Sequence, residues 1–297
     1  MKPQHIQILV AIADHGSLRA AAKYLNKSQP ALTQSLRQAE SELGVSLFLR
    51  TSRGVELTDV GERVLVRART ITSEIARLDE EVAQLRGEQV GAVNVCLSPL
   101  AAMRIMPRAL TLFRKTHPKI EVRLTSGLFP GALKPLREGR TDILIGPVPP
   151  TNLSREIAVE HLLETPIDVV TAAGSPLLQA KSLAELTQAQ WIMIGAQTGP
   201  GDIFKQPFLD HGMTPPEALT TSESYFGALS LVESTGAVCT FPSLLMREVQ
   251  KTWQIARVPI REKIEPLKIA LMTRAGHPLT PAADALAMCI RRRVTSM

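Results

Sequence analysis

Gln29, Thr33, Gln34 and Arg37 are spaced so that an α-helix would gather two carboxamides, a hydroxyl and a guanidinium on one side. Such groups hydrogen-bond to base edges and phosphate oxygens, and a helix carrying them fits the major groove of double-stranded DNA. A second group of residues sits where apolar runs stop. Ser98-Pro99 follows VNVCL directly, the serine suited to cap a helix and the proline to open it. Strand ends that deliver hydroxyls and helix starts suit a small anion. The same placement singles out Thr125, Ser126 and Phe129, then Gly146 and Pro147, then Gln197 and Thr198, and finally Thr240 and Phe241. Tyr225, near a helix start, is positioned to close a cleft built from them. A solvated helix face and ordinary capping are the competing readings of the two groups.

Covalent and metal chemistry have no comparable footing. The chain contains no GxSxG elbow, P-loop, HExxH motif, or GxGxxG following a strand. Its histidines, at 5, 15, 117, 161, 211 and 277, are scattered, and no cluster has metal-ligand spacing. The TGPGD run around Gly199 and Gly201 is a turn and a weak phosphate signal. The expectation is no catalytic residue, no metal and no cofactor, so not an enzyme.

The first group needs a helix held by a small core. Residues 4 to 14 place Ile6, Leu9, Val10 and Ala13 on one helical face, and Ser17 can cap a second helix that uses Leu18, Ala21, Ala22 and Leu25. Ser28 can cap a third, with Pro30 in its first turn, Leu32, Leu36, Ala39 and Leu43 facing inward, and Gly44 ending it. In VSLFLRTSRGVEL two β-prone runs flank Ser52-Arg53-Gly54, predicting a hairpin with a basic tip, a wing.

From Thr58 to about Arg86 there is no proline, and Val60, Val64, Ala68, Ile71, Ile75, Leu78, Val82 and Leu85 recur at steps of 4, 4, 3, 4, 3, 4 and 3. About 29 helical residues span about 43 Å. A small N-terminal domain offers that length little of its own chain to pack on. The heptad-like seam therefore predicts a dimer through Val64, Ala68, Ile71, Ile75, Leu78 and Val82, with packing on the same domain as the alternative.

Gly87 and Gly91 bracket the end of that helix, and beyond Ala92 short apolar strands alternate with helices. VNVCL, IEVRL, DILIG, IDVVTAA, WIMIG, GAVCTF and KIALMT are the candidate strands of an α/β region with two lobes of about 100 residues each. No internal repeat, low-complexity tract or charge block interrupts it.

Composition agrees with two or three soluble domains: 297 residues, 44 % apolar, 21 % charged and 4 % aromatic. That balance excludes a disordered chain. The formal charge of +6 and the pI near 9.4 suit a polyanion, and residues 1 to 57 carry seven Lys or Arg against four Asp or Glu, a modestly basic head. Cys96, Cys239 and Cys289 are odd in number and far apart, which speaks against a secreted disulfide framework. The apolar run from Ile6 to Ala13 is short, contains Gln7 and ends at Asp14, unlike a signal peptide. No stretch approaches the roughly 18 apolar residues of a membrane span. A cytoplasmic protein with no membrane partner is expected.

The run GSLRAAAKYLNKSQPALTQSLRQAESELGVSLFLRTSRGVELTDVGERVL resembles the DNA-binding signature of LysR-type transcriptional regulators, over about residues 3 to 66. The alanine-rich second helix, the SQPALTQ start of the third, E-x-x-L-G from Glu40, L-F-x-R ending at Arg50 and L-T-x-x-G from Leu57 to Gly61 carry it jointly. Ala39 stands where leucine is usual, and Thr33 where serine is common. The resemblance implies an N-terminal all-α winged helix-turn-helix (1–57), a long linker helix (58–87), then an α/β two-lobed effector domain built like a periplasmic binding protein (92–297). Lobe I would comprise about 92–162 and 268–297, and lobe II about 163–267, with crossovers near Glu164 and Glu265.

In that reading Ser28, Gln29, Thr33, Gln34 and Arg37 enter the major groove, and Arg50 and Arg53 take phosphates or the minor groove. An effector, expected to be a small organic anion, binds between the lobes. The chain pairs with itself as a homodimer, by resemblance often a dimer of dimers, on promoter DNA, with RNA polymerase as a further contact. A redox-sensing variant would need a reactive cysteine, for which Cys239 is the candidate, whereas Cys96 and Cys289 read as buried and inert. The rivals are a two-lobed small-molecule receptor or enzyme without specific DNA recognition, and a nonspecific DNA binder.

Overall fold

The computed structural model describes residues 1–51, 54–149, 155–196 and 199–295. They form two compact units, one of Met1–Glu88 with Arg137–Arg140 and the other the remainder.

In the first unit α1 (Pro3–His15), α2 (Leu18–Tyr24) and α3 (Gln29–Leu43) close around Ile8, Leu9, Ile12, Ala21, Leu32 and Leu36. Ser17 Oγ accepts from Ala20 N at 3.1 Å and Ser28 Oγ from Ala31 N at 3.3 Å, so each serine satisfies an N–H that its helix leaves without a backbone partner. Pro30 lies in the first turn of α3, and Gly44, left-handed at φ 70°, ends it. Leu43, expected to face inward, is instead exposed, because the helix stops there beyond the reach of the core.

The wing is present: β1 (Phe48–Thr51) pairs antiparallel with β2 (Gly54–Leu57), Phe48 opposite Leu57. Glu40 ties it to α3, its Oε1 accepting from Leu47 N at 2.7 Å and Phe48 N at 3.2 Å. The linker helix, α4 (Asp59–Leu85), follows Thr58, whose Oγ1 accepts from Gly61 N at 2.9 Å. Glycine is required at 61, since a Cβ there would lie 2.1 Å from Leu47 O.

The α4 seam divides into two parts. Val64 packs on the core of the unit and Ala68 is buried, so both are already occupied within the chain. Ile71, Ile75, Leu78 and Val82 are exposed. The free apolar stripe is therefore shorter than the sequence spacing suggests and begins at Ile71.

The second unit begins with β3 (Ala92–Leu97), which leads through a π-helical turn, Ala101–Ile105, into α5 (Met106–Phe113). Next come β4 (Glu121–Ser126), α6 (Leu133–Arg137), β5 (Ile143–Pro147) and β6 (Ile157–Thr165). β7 (Ile167–Ala172), β8 (Ile192–Ile194), α7 (Gln206–Asp210) and β9 (Thr220–Ser222) follow. α8 (Tyr225–Thr235), β10 (Cys239–Pro242), α9 (Met246–Val249), β11 (Ile255–Arg257), β12 (Leu267–Arg274) and α10 (Pro281–Thr295) complete it.

One sheet has the order β4-β3-β5-β12-β6, with β3 parallel to β4 and β5, and β12 antiparallel to β5 and β6. The other sets β7 between antiparallel β10 and β11, and β8 pairs with β9 in parallel beside it. The chain crosses from the first sheet to the second at Pro166 and returns between β11 and β12. All seven candidate strands are present. β6, β9 and β11 were not anticipated. β6 is an edge strand whose run IAVEHLLET mixes Glu160, His161 and Glu164 with apolar residues, and the other two are three residues each.

Candidate functional site

On α3 the residues Gln29, Thr33, Gln34 and Arg37, joined by Pro30, line one shallow surface depression. Ser28, Gln29, Gln34 and Arg37 are exposed, while Leu32, Leu36 and Ala39 behind them are buried. Thr33 differs from its neighbours: its Oγ1 donates to Gln29 O at 3.0 Å, so its hydroxyl proton is already engaged by the helix. The face can thus offer two carboxamides and one guanidinium to polar partners. Arg50 lies on β1 of the wing. Arg53 lies outside the described residues.

The second unit holds a narrow cavity, open to solvent at its mouth, between the two sheets. From the first sheet's side come Ser98, Pro99 and Leu100 after β3, Leu128 after β4, Pro147 at the end of β5, and Leu267 and Ile269 of β12. From the other side come Ile167, Ile194, Pro200, Ile203, Tyr225, Thr240 and Pro242. Ser98 is fixed in place: its N donates to Ile145 O at 2.8 Å and its Oγ accepts from Ala101 N at 3.3 Å. It caps the turn that opens α5 and lines the cavity at once.

Five of the residues picked out from strand ends therefore meet at the cavity, namely Ser98, Pro99, Pro147, Tyr225 and Thr240. Five do not. Thr125 and Ser126 are exposed on β4, the outer strand of its sheet. Phe129 is buried with Ala132 and Leu136, and Phe241 packs in the core against the Tyr225 ring, centroids 5.2 Å apart. Gly146 stands behind Ser98, its Cβ position 3.4 Å from that of the serine. Gln197 and Thr198 lie outside the described residues. What the sequence reading missed is the apolar wall: Ile167, Ile194, Leu267 and Ile269 sit in strands with the apolar signature of ordinary core, and Ile203 in a short 3-10 turn.

The Tyr225 side chain reaches inward from the start of α8, which Ser224 caps by accepting from Gly227 N at 3.1 Å. Its hydroxyl is cut off from solvent and has no hydrogen-bond partner among the described residues. Burial, with Cys239 close by, pushes its pKa well above the usual 10. Burial pushes the Cys239 thiol from 9.0 up to about 12. The reactive-cysteine candidate is thus a fully buried thiol, with no thiolate at neutral pH to attack an oxidant. Cys289 is half-buried rather than buried, and the Cys96 thiol is raised chiefly by burial. Among the described residues no group of three or more His, Cys, Asp or Glu is gathered for a metal. No described helix is long and apolar enough to cross a membrane.

Comparison with known proteins gives two family matches: "Bacterial regulatory helix-turn-helix protein, lysR family" over residues 3–62 and "LysR substrate binding domain" over residues 86–295. The chain is 27 % identical over 293 residues to the HTH-type transcriptional regulator GalR of Pseudomonas putida, covering 98 % of this chain and 74 % of that one. It is 31 % identical over 196 residues to the HTH-type transcriptional activator CmpR of Synechocystis, covering 66 % and 63 %. Among solved structures, CbnR, a LysR family transcriptional regulator, superposes with a TM-score of 0.70 at 22 % identity over 99 % of both chains. Full-length CbnR complexed with its target DNA gives 0.69 at 23 % identity over 99 % and 100 %.

Proposed function

This chain belongs to the LysR family of bacterial transcriptional regulators, and we propose that it reads promoter DNA with the exposed face of α3. Gln34 and Arg37 contact base edges, Gln29 and Ser28 hold the helix entrance against the backbone, and the wing, with Arg50 and Arg53, takes phosphates or the minor groove. The observation that carries this reading is the single depression formed by Gln29, Pro30, Thr33, Gln34 and Arg37 on a helix whose opposite face is the core of its unit. The complex of CbnR with its target DNA supports the same use of this module.

In this proposal residues 1–57 are the DNA-binding module, 58–87 the linker and 92–297 the effector domain, with lobes divided near Glu164 and Glu265. Two copies pair through the exposed stripe of Ile71, Ile75, Leu78 and Val82, in a dimer or dimer of dimers, in the cytoplasm. An effector in the interlobe cavity regulates the assembly by binding one arrangement of the lobes better than another, since equal affinity for both would shift nothing. RNA polymerase is then the partner whose recruitment or exclusion changes.

The test is binding to DNA upstream of the protein's own coding region against random DNA of equal length, across a salt series. Specific recognition gives a preference of about 10³-fold or more, with affinity falling steeply as salt rises. Equal affinity for both fragments would reduce the head to a nonspecific binder at that locus.

A further inference from the structure

Resting on the cavity's being the effector site, we infer that the effector is an uncharged, mainly apolar molecule carrying one hydrogen-bond acceptor, which the Tyr225 hydroxyl meets. Of the 14 described residues around the cavity, 11 are Pro, Ile or Leu. The other three, Ser98, Tyr225 and Thr240, offer side-chain hydroxyls, and among the described residues none of the lining is a Lys, Arg, His, Asp or Glu. Gln197 and Thr198, next to this region in sequence, add no charge either.

These walls discriminate between ligand classes. A carboxylate entering them surrenders its hydration to surfaces that supply no countercharge. A ketone, ester or amide gives up much less and recovers a hydrogen bond, while its hydrocarbon part covers the Ile and Leu side chains. The sequence-based expectation of an organic anion relied on hydroxyls and helix starts. Two of the hydroxyls it relied on, Thr125 and Ser126, are on an exposed edge strand, and those that do line the cavity, on Ser98, Tyr225 and Thr240, carry no positive charge.

Of the three hydroxyls in the lining, that of Tyr225 is the one that is both shut off from solvent and without a partner among the described residues. Its Oη is buried with no acceptor among the described residues, and a buried donor left unpaired is costly. A carbonyl oxygen brought within reach removes that cost. This makes Tyr225 the specificity-determining donor of the site, and the Pro, Ile and Leu walls the source of affinity. Because burial holds the phenol protonated, it donates throughout the physiological pH range.

The test uses pairs of probes matched in shape and differing in charge: acetophenone against benzoate, and 2-heptanone against hexanoate. Each is titrated calorimetrically into the full-length protein and into its Tyr225→Phe variant, with ethylbenzene as the analogue lacking an acceptor. The expected result is that each ketone binds about tenfold or more tighter than its carboxylate, a difference of about 1.4 kcal/mol. Tyr225→Phe weakens acetophenone about threefold to tenfold, the worth of one hydrogen bond, and leaves ethylbenzene within about twofold.

Carboxylates that bind as well as the ketones, ketones that do not bind up to their solubility, or a variant that weakens acetophenone and ethylbenzene alike would each overturn the inference. Promoter binding by the ligand-free protein is measured alongside. Its failure with ketone binding intact refutes the regulatory reading of the head and leaves the cavity chemistry standing. The opposite pattern refutes the cavity chemistry alone.

Discussion

The α3 face and the interlobe cavity use their side chains in opposite ways. On α3 the groups proposed to read DNA are polar, exposed and backed by a buried apolar stripe, so they stand out against packing. In the cavity most of the groups proposed to meet the effector are apolar and continuous with the cores behind them, so the proposed site and the packing are made of the same residues. The difference teaches where a sequence can be read for function: at surfaces where polar groups interrupt an apolar period, and poorly in pockets whose walls are Ile, Leu and Pro.

The largest expected effect tests whether the two regions stand on separate cores. Gly61→Ala drives a Cβ into Leu47 O and should cost the first unit about 3 kcal/mol. Hydrogen exchange followed by mass spectrometry should show faster exchange in α1 to α4 and unchanged protection in β3, β5 and β12. Equal loss in both units would mean that they unfold as one.

Next in size is the polar face. Arg37→Ala and Gln34→Ala should each lower affinity for the promoter fragment by about tenfold, with little change on random DNA, as measured by fluorescence anisotropy. A uniform loss on both fragments would reassign these residues to phosphate contacts.

A smaller effect belongs to Ser98, which caps a helical turn and lines the cavity at once. Ser98→Ala removes the cap on Ala101 N and should cost about 1 kcal/mol. That is a fall in melting temperature of a few degrees for the second unit, visible by calorimetry. No change would show that the hydroxyl is held for ligand rather than for the helix.

The smallest effect concerns Cys239. Its native pKa, about 12, lies above its ordinary value of 9.0, so the folded state holds the proton more tightly than the unfolded state. This contribution to stability is complete below pH 9 and is lost as pH rises from 9 towards 12. Cys239→Ala should flatten that part of the curve in urea melts, and the native thiol should resist disulfide reagents at pH 8. Rapid labelling of Cys239 in the folded protein would restore the redox candidate.

Much of the first unit was legible because its signals are local. Ser17, Ser28, Thr58 and Gly44 mark helix ends through their own hydrogen bonds and φ angle, and the period of Leu32, Leu36 and Ala39 sets the face of α3. The second unit gave up its strands for the same reason, yet not its pocket. Ile167 and Ile269 line the cavity only because β7 and β12 approach from different sheets, a non-local fact that no short window contains. Thr125 and Ser126 misled in the converse way: they end an apolar run, but β4 is an edge strand and leaves them to solvent. The α4 seam read correctly as an amphipathic helix and too generously as free surface, since its period cannot tell Val64 facing its own core from Leu78 facing nothing.

Glu40, at the far end of α3, carries a mechanical consequence. One carboxylate oxygen accepts from the amides of Leu47 and Phe48, tying the end of α3 to the start of the wing like the two jaws of a set caliper. A caliper that does not adjust hands any misfit to the object it measures. If α3 and the wing engage one duplex as proposed, the steps between them are expected to contribute to selectivity through how readily they bend or narrow.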